Sequence, residues 1–110
     1  MHAEVLLSQF LAVAGRSREA IAIQTGIVAA DARRHVFRPT DTRALRDVSF
    51  SRKVLGSLYW DSGDRARACA VWRESNAGFS SLEGEGRLNE WDRDNVVKGL
   101  RTDFARCGAA

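Results

Sequence analysis

Proline is almost missing from this chain: Pro39 stands alone among 110 residues. Proline removes a backbone donor and breaks helices, so its scarcity leaves long stretches free to be helical. No apolar run approaches the roughly 20 residues that span a bilayer, and no membrane partner is expected. The stretch VLLSQFLAVAG near the N-terminus is apolar and ends in small residues, but Glu4 and the lack of a basic lead-in make it a helix rather than a signal peptide. Histidine is limited to His2 and His35, and cysteine to Cys69 and Cys107. No His, Cys or carboxylate cluster has zinc spacing, and no CxxC occurs. The two cysteines read as free thiols in a reducing cytoplasm. A GxSxG elbow, a Walker loop and a GxGxxG turn are all missing. Gly84-Glu85-Gly86 reads as a helix stop, and Asp61, Asp64 and Glu74 as capping and solvating carboxylates rather than an acid–base pair. Catalysis, a metal and a cofactor are therefore not expected.

Lysine is scarce as well, with Lys53 and Lys98 the only two among 17 basic residues. Fourteen acids are interspersed with them, for a net charge of +3. The densest basic clusters are Arg33-Arg34-His35 with Arg38, and Arg52-Lys53. Mixed charge of this kind reads as a solvated helical surface and is weak evidence for nucleic acid. Hydrophobic residues make up 45% of the chain, with three Trp and five Phe, which suits one domain with a modest core.

Apolar periodicity predicts five helices. The first runs from about Ala3 to Ala14, with Val5, Leu6, Phe10 and Val13 on one side and Gly15 as its stop. The second runs from Ser17, a candidate N-cap, to about Arg34, with a stripe of Ala20, Ile21, Ile23, Ile27 and Val28. Gly26 inside it costs about 1 kcal/mol relative to Ala, which close helix packing would offset. His35–Thr40 is a loop. The third helix runs from Asp41 or Thr42 to Ser62; the alternation Val48-Ser49-Phe50-Ser51 could suggest a strand but lies inside a longer helical period. Gly63 ends this helix and Asp64 caps the fourth, which extends to about Ser80. The last helix opens at Asn89, has Asp92 in its first turn where the helix dipole favours an acid, and carries Trp91, Val96, Val97, Leu100 and Phe104 on one side.

The stretch Val54–Trp72, VLGSLYWDSGDRARACAVW, places Leu55, Gly56 and Tyr59 on one helix and Ala68 and Trp72 on the next. Gly56 and Ala68 are twelve residues apart, and Ala68 and Trp72 four. This resembles the tetratricopeptide repeat (TPR) signature of a Leu-Gly pair, an aromatic, an Ala and a second aromatic. A shift of 48 sets Leu7 on Leu55, Leu11 on Tyr59, Gly15 on Gly63, Ala20 on Ala68 and Gln24 on Trp72. The usual TPR period is about 34, so the copies are degenerate. The segment GEGRLNEWDRD is similar to the closing segment of TPR arrays at the C-terminus of larger bacterial signalling proteins. The resemblance implies an all-α fold: a right-handed superhelix with one hairpin at about 3–34, a second at about 41–80, and a capping helix at about 89–107. Core positions would be Leu7, Ala20, Leu55, Gly56, Tyr59, Ala68 and Trp72.

The same resemblance implies a non-enzymatic, cytoplasmic module that binds a protein or peptide, with self-association a further expectation because arrays of this kind usually need about three repeats. The first helix of each pair would line the groove, which gives Phe50, Lys53, Ser57, Trp60 and Asp61 in the second repeat. In the first it gives His2, Val5, Gln9, Ala12 and Val13. Lys53 could meet a carboxylate and Trp60 an apolar side chain. The rival class is a DNA-binding helix-turn-helix with its turn at Gly26 and Arg33-Arg34-His35 on the recognition helix. An unbroken helix is the preferred reading there, because Ile27-Val28-Ala29-Ala30 is too apolar for such a turn.

Overall fold

A computed structural model describes residues 16–109, and these are helical apart from short connections, with no strand among them. Helix α1 is Ser17–Phe37, α2 is Thr42–Asp61 and α3 is Arg65–Gly84. A short α4 (Glu90–Asp92) continues through a π turn (Arg93–Val97) into α5 (Lys98–Ala105) and a closing 3-10 turn (Arg106–Ala109). The helix expected over Ala3–Ala14, and with it Leu7, Leu11 and the first-repeat groove positions His2, Val5, Gln9, Ala12 and Val13, lies outside the described residues.

Local chemistry sets the boundaries. The Asp41 side chain accepts from the Arg43 amide at 2.9 Å and the Ala44 amide at 3.4 Å, capping α2. Gly63, at φ +89°, turns the chain after α2, and Asp64 caps α3 by accepting from the Arg67 amide at 3.1 Å. Gly86 (φ +71°) makes the second left-handed turn, and Asn89 caps α4 by accepting from the Asp92 amide at 2.7 Å. Helix α3 reaches Gly84, past the expected end near Ser80. At α1 the expectation fails: Arg16 holds the cap position without a side-chain hydrogen bond, and Ser17 is already helical.

Helix α2 lies between α1 on one side and α3 on the other. The loops of residues 38–41 and 62–64 are too short for anything but antiparallel neighbours. The α2–α3 contact is built from small residues against large ones. A Cβ added to Gly56 would sit 2.3 Å from the Trp72 indole, and one on Gly78 would collide with the Ser49 hydroxyl. Trp72 donates through Nε1 to the Lys53 carbonyl at 3.1 Å, and the Ser75 hydroxyl donates to the Ser49 carbonyl at 2.6 Å. Ala68, Trp72, Phe79 and Leu82 form one core cluster with Val96, Val97 and Leu100. Ala20, Ile27, Val54 and Leu58 form a second. Among the expected core positions, Ala20, Leu55, Gly56, Ala68 and Trp72 are buried, and Tyr59 is half-buried against the first cluster.

Three expectations are corrected. The buried stripe of α1 is Ala20, Gln24, Ile27 and Asp31, spaced four, three and four residues apart, so two of its members are polar. Gly26 is exposed, with no atom of the described residues within 4 Å of where its Cβ would be, so no close packing among them offsets it. Cys69 and Cys107 are not free: they form a disulfide, with Cα atoms 5.9 Å apart, that ties the closing turn to α3. Disulfides persist where conditions are oxidising, so the pairing removes the basis on which a reducing compartment was expected. No helix among the described residues is long and apolar enough to cross a membrane.

Candidate functional site

The side chains of α2 fall into faces that its neighbours define. Toward α1 lie Asp47, Ser51, Val54 and Leu58. Ser51 meets two buried polar groups of α1: Gln24 donates to the Ser51 carbonyl at 3.0 Å, and the Ser51 hydroxyl donates to Asp31. Asp31, 1% exposed, is also paired with Arg34, whose guanidinium stands 3.7 Å from Asp47. A buried carboxylate is tolerated only with such partners. Toward α3 lie Ser49, Arg52 and Gly56, with Arg52 reaching Glu74 at 3.4 Å.

Between these faces runs a third, made of Arg43, Arg46, Phe50, Lys53, Ser57 and Asp61 at helical intervals of three and four. None of the six is buried. Four of the expected groove residues share this stripe. Phe50 is half-buried against both core clusters, and the Arg46 guanidinium lies over its ring at 5.1 Å. Lys53 is half-buried, and the Ser57 hydroxyl donates to its carbonyl at 3.3 Å. Asp61 is exposed. Trp60 departs from the stripe. It stacks on Trp72 at 5.5 Å and is flanked by the guanidinium groups of Arg65 at 4.7 Å and Arg106 at 4.4 Å. Gln9, like the other first-repeat groove positions, lies outside the described residues.

At its N-terminal end the stripe opens into a cleft of about 1150 Å³, lined among others by Arg34, Arg43, Arg46, Arg87, Leu88 and Trp91. Sequence reasoning missed this cleft because it is assembled from the ends of several elements. Its anchor is the Arg46–Asp92 pair. The guanidinium donates through Nε and Nη2 to the two carboxylate oxygens, both at 3.0 Å, and Asn89 Nδ2 donates to the same carboxylate at 3.0 Å. The hydrogen bonds that Arg46 donates to Asp92 raise its pKa above the ordinary value. Asp92 is 1% exposed and Trp91 is 64% exposed, which reverses the expectation that Trp91 belongs to the buried stripe. Neighbouring helix positions point about 100° apart, so the inward position went to the carboxylate that has a cationic partner. The π turn beyond it carries one extra residue per turn, which lets Val96 and Val97 both face inward with Leu100.

Elsewhere charges tie elements together. Arg101 on α5 reaches α3 through Asn76 at 3.2 Å, Ser80 at 3.3 Å and Glu83 at 3.0 Å, and its hydrogen bond holds the Glu83 carboxyl below its ordinary pKa. The helix carrying Arg33, Arg34 and His35 runs unbroken through Gly26, so the turn that a helix-turn-helix needs there does not form. No group of three or more His, Cys, Asp or Glu residues suited to a metal occurs among the described residues. Compared with family models, with curated proteins and with solved structures, the chain matches none of them.

Proposed function

We propose that this chain is a non-catalytic module that binds a protein or peptide along the open face of α2, in the way its likeness to tetratricopeptide hairpins implies. The observation that carries the reading is how α2 is used. Its two sides are taken by α1 and α3, while the stripe Arg43, Arg46, Phe50, Lys53, Ser57 and Asp61 stays unburied. Within that stripe Arg43, Arg46 and Phe50 are of the residue types that protein interfaces favour. The small-on-large contact of Gly56 with Trp72 supports the repeat-like register of the α2–α3 hairpin. The packing of α1 on the far side of α2 suits the second helix of a preceding hairpin in a right-handed superhelix.

Affinity capture from the source cells, read by mass spectrometry, tests the proposal with Lys53→Glu combined with Asp61→Arg. Asp61 is exposed and Lys53 is not buried, so the variant should keep the parent's circular dichroism and melt close to it while losing the partner. A partner retained by this variant would move the interface off α2. Sedimentation of the purified protein reads whether that partner is a second copy.

A further inference from the structure

The geometry points to a specific kind of partner for the cleft at the N-terminal end of α2: an acidic protein segment that carries an apolar side chain beside its carboxylates. This deepens the proposed peptide-binding function and rests on it. The argument starts from what the cleft has left to offer. Every carboxylate in its lining is already engaged. Asp41 accepts from the α2 amides, Asp47 stands against Arg34 and Arg46, and Asp92 is held by Arg46 and Asn89. Arg43 is exposed, and its guanidinium has no ion pair among the described residues. Arg87 is exposed too, donating to the Thr40 carbonyl at 3.0 Å and standing 3.9 Å from Glu85. Trp91, 64% exposed, and Leu88 supply the apolar part of the wall. What is left is the Arg43 guanidinium, the remaining donors of Arg87 and an exposed indole face, and arginine suits planar, bidentate recognition of a carboxylate.

The arrangement favours a protein segment over a continuous polyanion. Of the arginines in the lining, Arg34 is paired with Asp31 and Arg46 with Asp92, which leaves Arg43 as the one with no ion pair among the described residues. A nucleic-acid backbone or an anionic bilayer presents a continuous row of charges and draws its affinity from many uncompensated cations, which this lining does not offer. A peptide can set its carboxylates opposite Arg43 and the remaining donors of Arg87 and place an apolar side chain on Trp91, so the small number of uncompensated cations beside an indole acts as the filter.

Selection from a displayed library of random twelve-residue peptides tests this without knowing the natural partner. Enriched peptides should carry Asp or Glu within a few positions of Leu, Phe or Trp. A labelled copy of the winning peptide should bind at least tenfold more weakly to Arg43→Glu and to Trp91→Ala, both surface substitutions that should leave the circular dichroism unchanged. Three results overturn the inference: enriched peptides without acids, equal binding to both variants, or tighter Arg43-dependent binding of a DNA duplex or of phosphatidylserine vesicles than of the peptide. Peptides lost by Lys53→Glu but kept by Arg43→Glu and Trp91→Ala would defeat this inference while sparing the α2 groove. Failure to enrich any peptide would count against both.

Discussion

Two glycines in helix interiors give opposite expectations for one substitution. At Gly56 a methyl group would enter the Trp72 indole, which is 1% exposed and hydrogen-bonded to α2. Overpacking of a filled core typically costs about 1–3 kcal/mol, so Gly56→Ala should lower stability despite the better helix propensity of alanine, and Gly56→Leu should do far more damage. At Gly26 the space is open, so Gly26→Ala should raise stability by about 0.5–1 kcal/mol. Urea melts of the two Ala variants check the signs; a stabilised Gly56→Ala would mean that α2 and α3 do not meet at Trp72. The sequence exposed Gly56 through its spacing from Ala68 and Trp72. It offered nothing comparable for Gly78, whose partner Ser49 carries no size or periodicity signal.

Among elements, the bond that joins α2 to α4 is the one most open to test. Asp92 is buried, and Arg46 supplies the charge that lets it be so. Removing one partner of a buried pair leaves the other charge uncompensated and typically costs about 3–5 kcal/mol. Because the Arg46 side chain is 25% exposed, water recovers part of that loss, and Arg46→Ala should cost about 3 kcal/mol or somewhat less. Denaturant titration reads the loss, and Asp92→Asn, which removes the charge but keeps an amide in place, should cost less. Helix starts and stops were legible in Asp41, Gly63, Asp64, Gly86 and Asn89, because capping and left-handed turns are local chemistry. The π turn at Arg93–Val97 was not, since only packing against α3 rewards turning Val96 and Val97 inward together.

At the scale of the whole molecule, the Cys69–Cys107 disulfide fastens the C-terminal end to α3, with the Arg106 guanidinium lying over Trp60. The two cysteines are 38 residues apart, and closing a loop of that length lowers the entropy of the unfolded chain by an amount worth about 4 kcal/mol. Reduction, or Cys107→Ser, should therefore lower the unfolding free energy by up to that amount, and thiol titration of the native protein should find no reactive cysteine. A chain that melts identically with and without reductant would show that this staple does not form.

The sequence by itself determined that the described residues are helical, where α2 begins and ends and where α3 begins, and that Gly56 would meet the helix of Ala68 and Trp72 across one hairpin; each of these follows from bonding and periodicity within a few residues. Only the tertiary structure decided that Gln24, Asp31 and Asp92 lie inside, that Trp91 lies outside, and that an arginine-lined cleft opens beside it. The reason is physical: a polar side chain can be buried only where its partner arrives, and the partners of Asp31 and Asp92 stand up to 46 residues away along the chain.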